Sequence, residues 1–82
     1  MKRVFDMTKT ERVKAAKDFL SLHQSSTEEC QIDFKLDDRA IVFFPKYGST
    51  FHCGDKIIKF AQYYNSYMYF AYDGEKVVAR VF

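Results

Sequence analysis

Apolar residues recur along this chain with two periods, helical and alternating, and the order in which these periods appear is used twice. Val13, Ala16, Phe19, Leu20 and His23 follow the three-and-four spacing of one helix face, with Lys14, Lys17, Asp18 and Ser21 opposite. Just ahead of them, Thr8-Lys9-Thr10-Glu11 has the form of a capping box, in which hydroxyl and carboxylate satisfy each other's backbone N–H groups. A helix is predicted to start there. The run Gln24 to Glu29 has no period and many turn formers, so a loop follows.

Cys30, Ile32, Phe34 and Leu36 then alternate with Gln31, Asp33, Lys35 and Asp37, the period-two mark of a half-buried strand. Asp37-Asp38 tolerates the positive φ of a tight hairpin turn. A two-residue turn there sets Phe34 opposite Ile41 and Ile32 opposite Phe43, all on the core side. Val42 and Phe44 fall on the other face, where apolar residues need a cover. A bulge, the Pro45 to Cys53 segment or an N-terminal strand would supply it, and so would a partner.

The second half repeats the plan. Asp55 is a good N-cap for a helix whose apolar face is Ile57, Ile58, Phe60, Ala61 and Tyr64. The β-branched and aromatic content of Lys56 to Tyr64 also permits a strand. Asp73-Gly74 suits a type I′ turn between two alternating strands. It sets Phe70 opposite Val77 and Met68 opposite Ala79 on one face, with Tyr69 opposite Val78 and Tyr67 opposite Arg80 on the other.

Tandem αββ units of this kind predict an α+β fold, a single domain over residues 1–82. An antiparallel sheet of about four strands carries two helices on one face. Val4-Phe5 and Thr50 to Cys53 are each long enough for an extra short strand. If Lys56 to Tyr64 is extended, the alternative is one N-terminal helix on a six-stranded antiparallel meander.

Composition narrows the function classes. The chain has 82 residues, 48% of them hydrophobic, which is a folded globule with room for one core. No apolar run approaches a membrane span, and the N-terminus lacks the apolar stretch of a signal peptide, so a cytoplasmic location is expected. In that compartment Cys30 and Cys53 are expected to stay reduced and act as small hydrophobes. The net charge is only +2, with acids gathered between Glu28 and Asp38, which lacks the basic stripe of a phosphate-binding surface.

Chemistry-bearing residues are sparse. His23, Cys30, His52 and Cys53 are zinc-ligand types, but His52 and Cys53 are adjacent and point to opposite faces of an extended backbone. A thiol nucleophile at Cys53 with His23 or His52 as base needs an orienting third group and a cleft. Gly48, Gly54 and Gly74 are isolated, so no phosphate-cradling loop is present. Glu28 and Glu29 fall in a loop, Asp33 on an outward strand position and Asp37-Asp38 in a turn. No catalytic residue, metal or cofactor is expected, and the chain reads as a non-enzyme.

What remains is surface. Five of the six tyrosines lie between Tyr63 and Tyr72. Tyr67 and Tyr69 are predicted to point outward beside Lys76, Val78 and Arg80, the residue types of binding hot spots. With Val42 and Phe44 they form the candidate partner-binding set. The leading expectation is a protein-binding or regulatory module that covers a partner protein or forms a homodimer. Small size, aromatic richness and lack of motifs are similar in bulk to accessory and inhibitor proteins of phages and other mobile elements. The alternative is a nucleic-acid binder in which Tyr67 and Tyr69 stack on bases while Lys76 and Arg80 meet phosphates.

Overall fold

Both halves fold with the periods read from them. The computed structural model describes residues 2–23 and 31–82. Its elements are a single 3₁₀ turn at Val4–Asp6, α1 (Lys9–Leu22), β1 (Ile32–Asp37), β2 (Ala40–Pro45), α2 (Gly54–Tyr63), β3 (Met68–Asp73) and β4 (Lys76–Val81). The protein is therefore α+β, with one antiparallel sheet in the order β1-β2-β4-β3. Each unit supplies one helix and one hairpin. The hairpins join at Ile41 opposite Val81, Val42 opposite Arg80 and Phe43 opposite Ala79.

Helix α1 begins at the capping box. The Glu11 N–H donates to Thr8 Oγ1 at 3.1 Å, and the Thr8 N–H donates to Glu11 Oε1 at 2.9 Å. Its buried face is turned from the predicted one: Arg12, Ala15, Ala16 and Phe19 are buried, Val13 and Leu20 are half-buried, and His23 is exposed. Arg12 explains the rotation. Its guanidinium donates to the carbonyl oxygens of Asp38 and Ala40, so a charged side chain lies against the core by satisfying the turn of the first hairpin.

Residues 54–63 are helical, which removes the six-stranded meander. Ile57, Phe60 and Ala61 bury one narrow face, while Ile58 stays 40% exposed and Tyr64 is half-buried beyond the helix. Cys53 rather than Asp55 is the N-cap, and Asp55 sits in the first turn, where a carboxylate complements the helix dipole. At the other end Asn65 takes φ 50°, the Asn65 N–H donates to the Gln62 carbonyl at 3.0 Å and the Ser66 N–H to the Ala61 carbonyl at 2.8 Å. This is a Schellman motif with asparagine in the left-handed position.

Both hairpin turns lie one residue later than predicted. The central residues are Asp38-Arg39 and Gly74-Glu75, because Asp37 pairs with Ala40 and Asp73 with Lys76. Asp38 at φ 51° and Gly74 at φ 64° are the first central residues, and neither second residue is left-handed, which is the type II′ pattern rather than I′. The register shifts by two residues, to Phe34 opposite Phe43 and Phe70 opposite Ala79. An even shift leaves every side chain on its predicted face.

The two extra strands do not form. Val4 is fully buried in the 3₁₀ turn, and its N–H donates to Ser66 Oγ at 2.9 Å instead of joining a ladder. Pro45 closes β2, and Gly48 at φ 74° turns the chain before residues 50–53. Among the described residues one backbone bond then returns to the sheet, from the Val77 N–H to the Ser49 carbonyl at 2.8 Å.

The core fills the space between the helices and the inner sheet face. Phe43, fully buried on β2, meets Phe19 of α1 and Phe60 of α2 with ring centroids 5.2 Å away in each case, and Phe19 and Phe60 are 5.0 Å apart. Ile41, Ile57, Ala79 and Val81 complete the cluster. Replacing Phe43 with alanine should lower unfolding free energy by about 3–5 kcal/mol. Tyr72→Ala, at a side chain 81% exposed, should stay within about 0.5 kcal/mol of wild type. Urea denaturation of both variants measures the contrast.

Candidate functional site on the outer sheet face

Side chains of the opposite parity, Asp33, Lys35 and Asp37 on β1, Val42 and Phe44 on β2, Tyr69 and Ala71 on β3 and Lys76, Val78 and Arg80 on β4, form the outer face. Neither described α-helix covers it, yet Val42 is 1% and Val78 5% exposed. The cover is the sheet itself. Lys35 Nζ on edge strand β1 reaches Asp73 Oδ2 on the opposite edge strand β3 at 2.7 Å. Four strands at about 4.8 Å spacing put the edges about 14 Å apart, farther than a lysine and an aspartate span on a flat sheet. The outer face must therefore curl into a trough.

Arg80 Nη1 on β4 reaches across β2 to Asp37 Oδ2 on β1 at 2.6 Å. With Lys35 and Asp73 it rims a depression of about 450 Å³, whose floor is Val42, Ala71 and Val78. The side chains of Lys35, Asp37, Asp73 and Arg80 thus stand around the apolar outer residues. Val42 and Val78 are too buried to be contact residues. Phe44 is half-buried, with Lys76 Nζ 5.7 Å from its ring centroid.

Tyr67 and Tyr69 remain, 68% and 47% exposed. They converge on Phe82, with ring centroids 6.2 Å and 5.8 Å from it. Arg80 stands opposite Tyr69 across the ladder, and the Asp37 carboxylate, then the Tyr69 side chain, holds its guanidinium above the usual value. The surface extends through residues that sequence reasoning missed. Phe5, 42% exposed, lies under the Arg39 guanidinium at 4.8 Å. A shallow groove of about 230 Å³ connects Phe5, Arg39, Tyr69, Arg80 and Phe82. The missed signal was the burial of Val4, which fixes Phe5 outward.

This end of the outer face can stack, hydrogen-bond and bury area, but it places no nucleophile beside a base. His52 is exposed, and His23 packs on Phe19 at 4.8 Å between centroids. Cys53 is buried, while Cys30, Glu28 and Glu29 lie outside the described residues. Among the described residues no three of His, Cys, Asp and Glu gather where they could hold a metal ion. No described helix is long and apolar enough to cross a membrane. A second apolar groove, about 460 Å³, runs between α1 and α2 past Phe19, Leu22, Phe60 and Tyr63.

Compared with protein-family models, curated proteins and solved structures, the chain matches none. The reading of the site accordingly rests on its own geometry.

The Lys35–Asp73 pair gives a pH signature. The hydrogen bond from Lys35, then its charge, lowers the Asp73 carboxyl below its ordinary value. A depressed folded pKa means that the unfolded chain binds the proton first, so this contribution holds above the ordinary carboxylate range and is lost as pH falls through the folded value. NMR titration should find Asp73 titrating below an unperturbed aspartate, and Lys35→Met should move it upward. An unchanged Asp73 pKa in that variant would remove the ion pair from the account.

Proposed function

We propose that the chain is a non-enzymatic protein-binding module that covers or modulates a partner protein through the aromatic end of its outer sheet face. The observation that carries this reading is one continuous surface of Phe5, Tyr67, Tyr69 and Phe82 interleaved with Arg39 and Arg80. Tyrosine and arginine dominate binding hot spots, because rigid amphipathic rings bury large areas at small entropic cost. Strand pairing on β4 and the buried Val4 hold the rings in place before any partner arrives, which lowers the ordering cost of binding.

The cation arrangement favours a protein over a nucleic acid. Arg80 is engaged by Asp37 and Lys35 by Asp73, so two outer-face cations already face carboxylates. A phosphate would have to displace them, and the net charge of +2 supplies little long-range attraction.

The experiment is affinity capture from the native host with wild type and the double variant Tyr67→Ala/Tyr69→Ala. Both positions are exposed, so the melting temperature should change by less than about 4 °C, while capture is lost. Retention should also survive raised salt, because phosphate contacts do not carry it. Unaltered capture by the folded double variant contradicts the reading, as does binding to oligonucleotides that falls steeply with salt.

A further inference from the structure

Strand β3 is an unguarded sheet edge. Tyr67 and Phe82 exchange both backbone bonds at 2.9 Å, which fixes the alternation along the ladder. The N–H and C=O groups of Tyr67, Tyr69, Ala71 and Asp73 point toward β4, and those of Met68, Phe70 and Tyr72 point away from it. Among the described residues no backbone or side-chain group bonds to these outward donors and acceptors. Between Ser66 and Tyr72 the chain has no charge and no proline, and Phe70 and Tyr72 are 47% and 81% exposed. Natural sheets usually protect an edge with such residues. The other edge, β1, carries Asp33, Lys35 and Asp37.

We propose that β3 pairs antiparallel with β3 of a second copy of this chain, making a closed two-fold dimer with a continuous eight-stranded sheet. The strand is self-complementary about Phe70. Placing Phe70 opposite the second copy's Phe70 sets Met68 opposite Tyr72 twice, and all outward groups of both strands then pair in one register. The two Phe70 residues then lie beside the axis, each ring packed on its own chain's Phe51 at 6.1 Å between centroids. On the outer face each Tyr69 stands opposite an Ala71, a large residue facing a small one, and no like charges meet.

Area supports an association that depends on concentration. The exposed parts of Tyr67, Tyr69, Phe70 and Tyr72 amount to at most about 500 Å² per chain for rings of about 200 Å², which places the dimer at or below the lower bound for specific interfaces. Growth stops at two copies, because the remaining edges are the charged β1 strands. The dimer and the proposed partner surface share Tyr67 and Tyr69, but only the dimer needs Phe70 and Tyr72 and only the partner surface needs Phe5, Arg39 and Phe82. Either can fail without the other.

Sedimentation equilibrium of wild type over rising concentration tests the pairing. The mass should move from the 9.7 kDa monomer toward twice that value. Tyr72→Pro removes an outward N–H without breaking any β3–β4 bond, and it should leave a folded monomer throughout. Should that variant not fold, Tyr72→Lys is the substitute, since it places a charge on each side of the axis. Amide exchange at Met68, Phe70 and Tyr72 should slow as wild type dimerises. A wild type that stays monomeric overturns the proposal. So does a dimer that survives in the folded Tyr72 variant, or one lost in Phe5→Ala/Arg39→Ala but kept in Tyr72→Lys.

Discussion

Three phenylalanine rings from three elements hold this fold together. Phe19 of α1, Phe43 of β2 and Phe60 of α2 are mutually in contact, so each helix is located against the sheet and against the other helix at one point. Neither αββ unit completes this contact alone. The first supplies Phe19 and Phe43, the second supplies Phe60, and the β2–β4 seam brings them together over only three residue pairs. A short seam is sufficient because burial of large rings, not the number of ladder bonds, supplies most of the stabilisation. The doubled plan is therefore one cooperative core built from two incomplete halves.

The outer face has its own constraint. Lys35 and Asp73, on opposite edge strands, meet across the width of the sheet. The trough buries Val42 and Val78, and the Arg80–Asp37 pair occupies its rim. These exposed ion pairs contribute little stability singly. Their consequence is positional, because they set a carboxylate against two outer-face cations and leave the aromatic end exposed.

Much of the fold was legible because periodicity reports which face a residue occupies. Residues 56–64 read as helix or strand, and the buried face of α1 lies turned from the predicted one, whereas the first helix, the four strands and the two sides of the sheet were readable from spacing. Turn position was not, since Asp37-Asp38 and Asp38-Arg39 offer similar local chemistry, and the choice depends on which residue takes positive φ. The displacement did no harm to face assignments because it moved the register by two. Arg12 was illegible for a different reason. A hydropathy pattern counts arginine as outward, whereas its guanidinium satisfies the Asp38 and Ala40 carbonyls next to the core. At the candidate site the outward placement of Tyr67 and Tyr69 was readable from sequence. Phe5, Arg39 and Phe82 were not, because they come from segments far apart in the chain. Val42 and Val78 were misjudged because alternation cannot foresee a curled sheet.

The central claim is that the exposed aromatic end, and not the trough or the groove between the helices, is the working surface. The most direct measurement is a backbone amide shift map of the isotopically labelled chain as a captured protein partner is titrated in. The account predicts the largest changes at Phe5, Tyr67, Tyr69 and Phe82, with Val42 and Val78 unmoved. Changes centred on Leu22, Tyr63 and Tyr64, with the outer face silent, would contradict it.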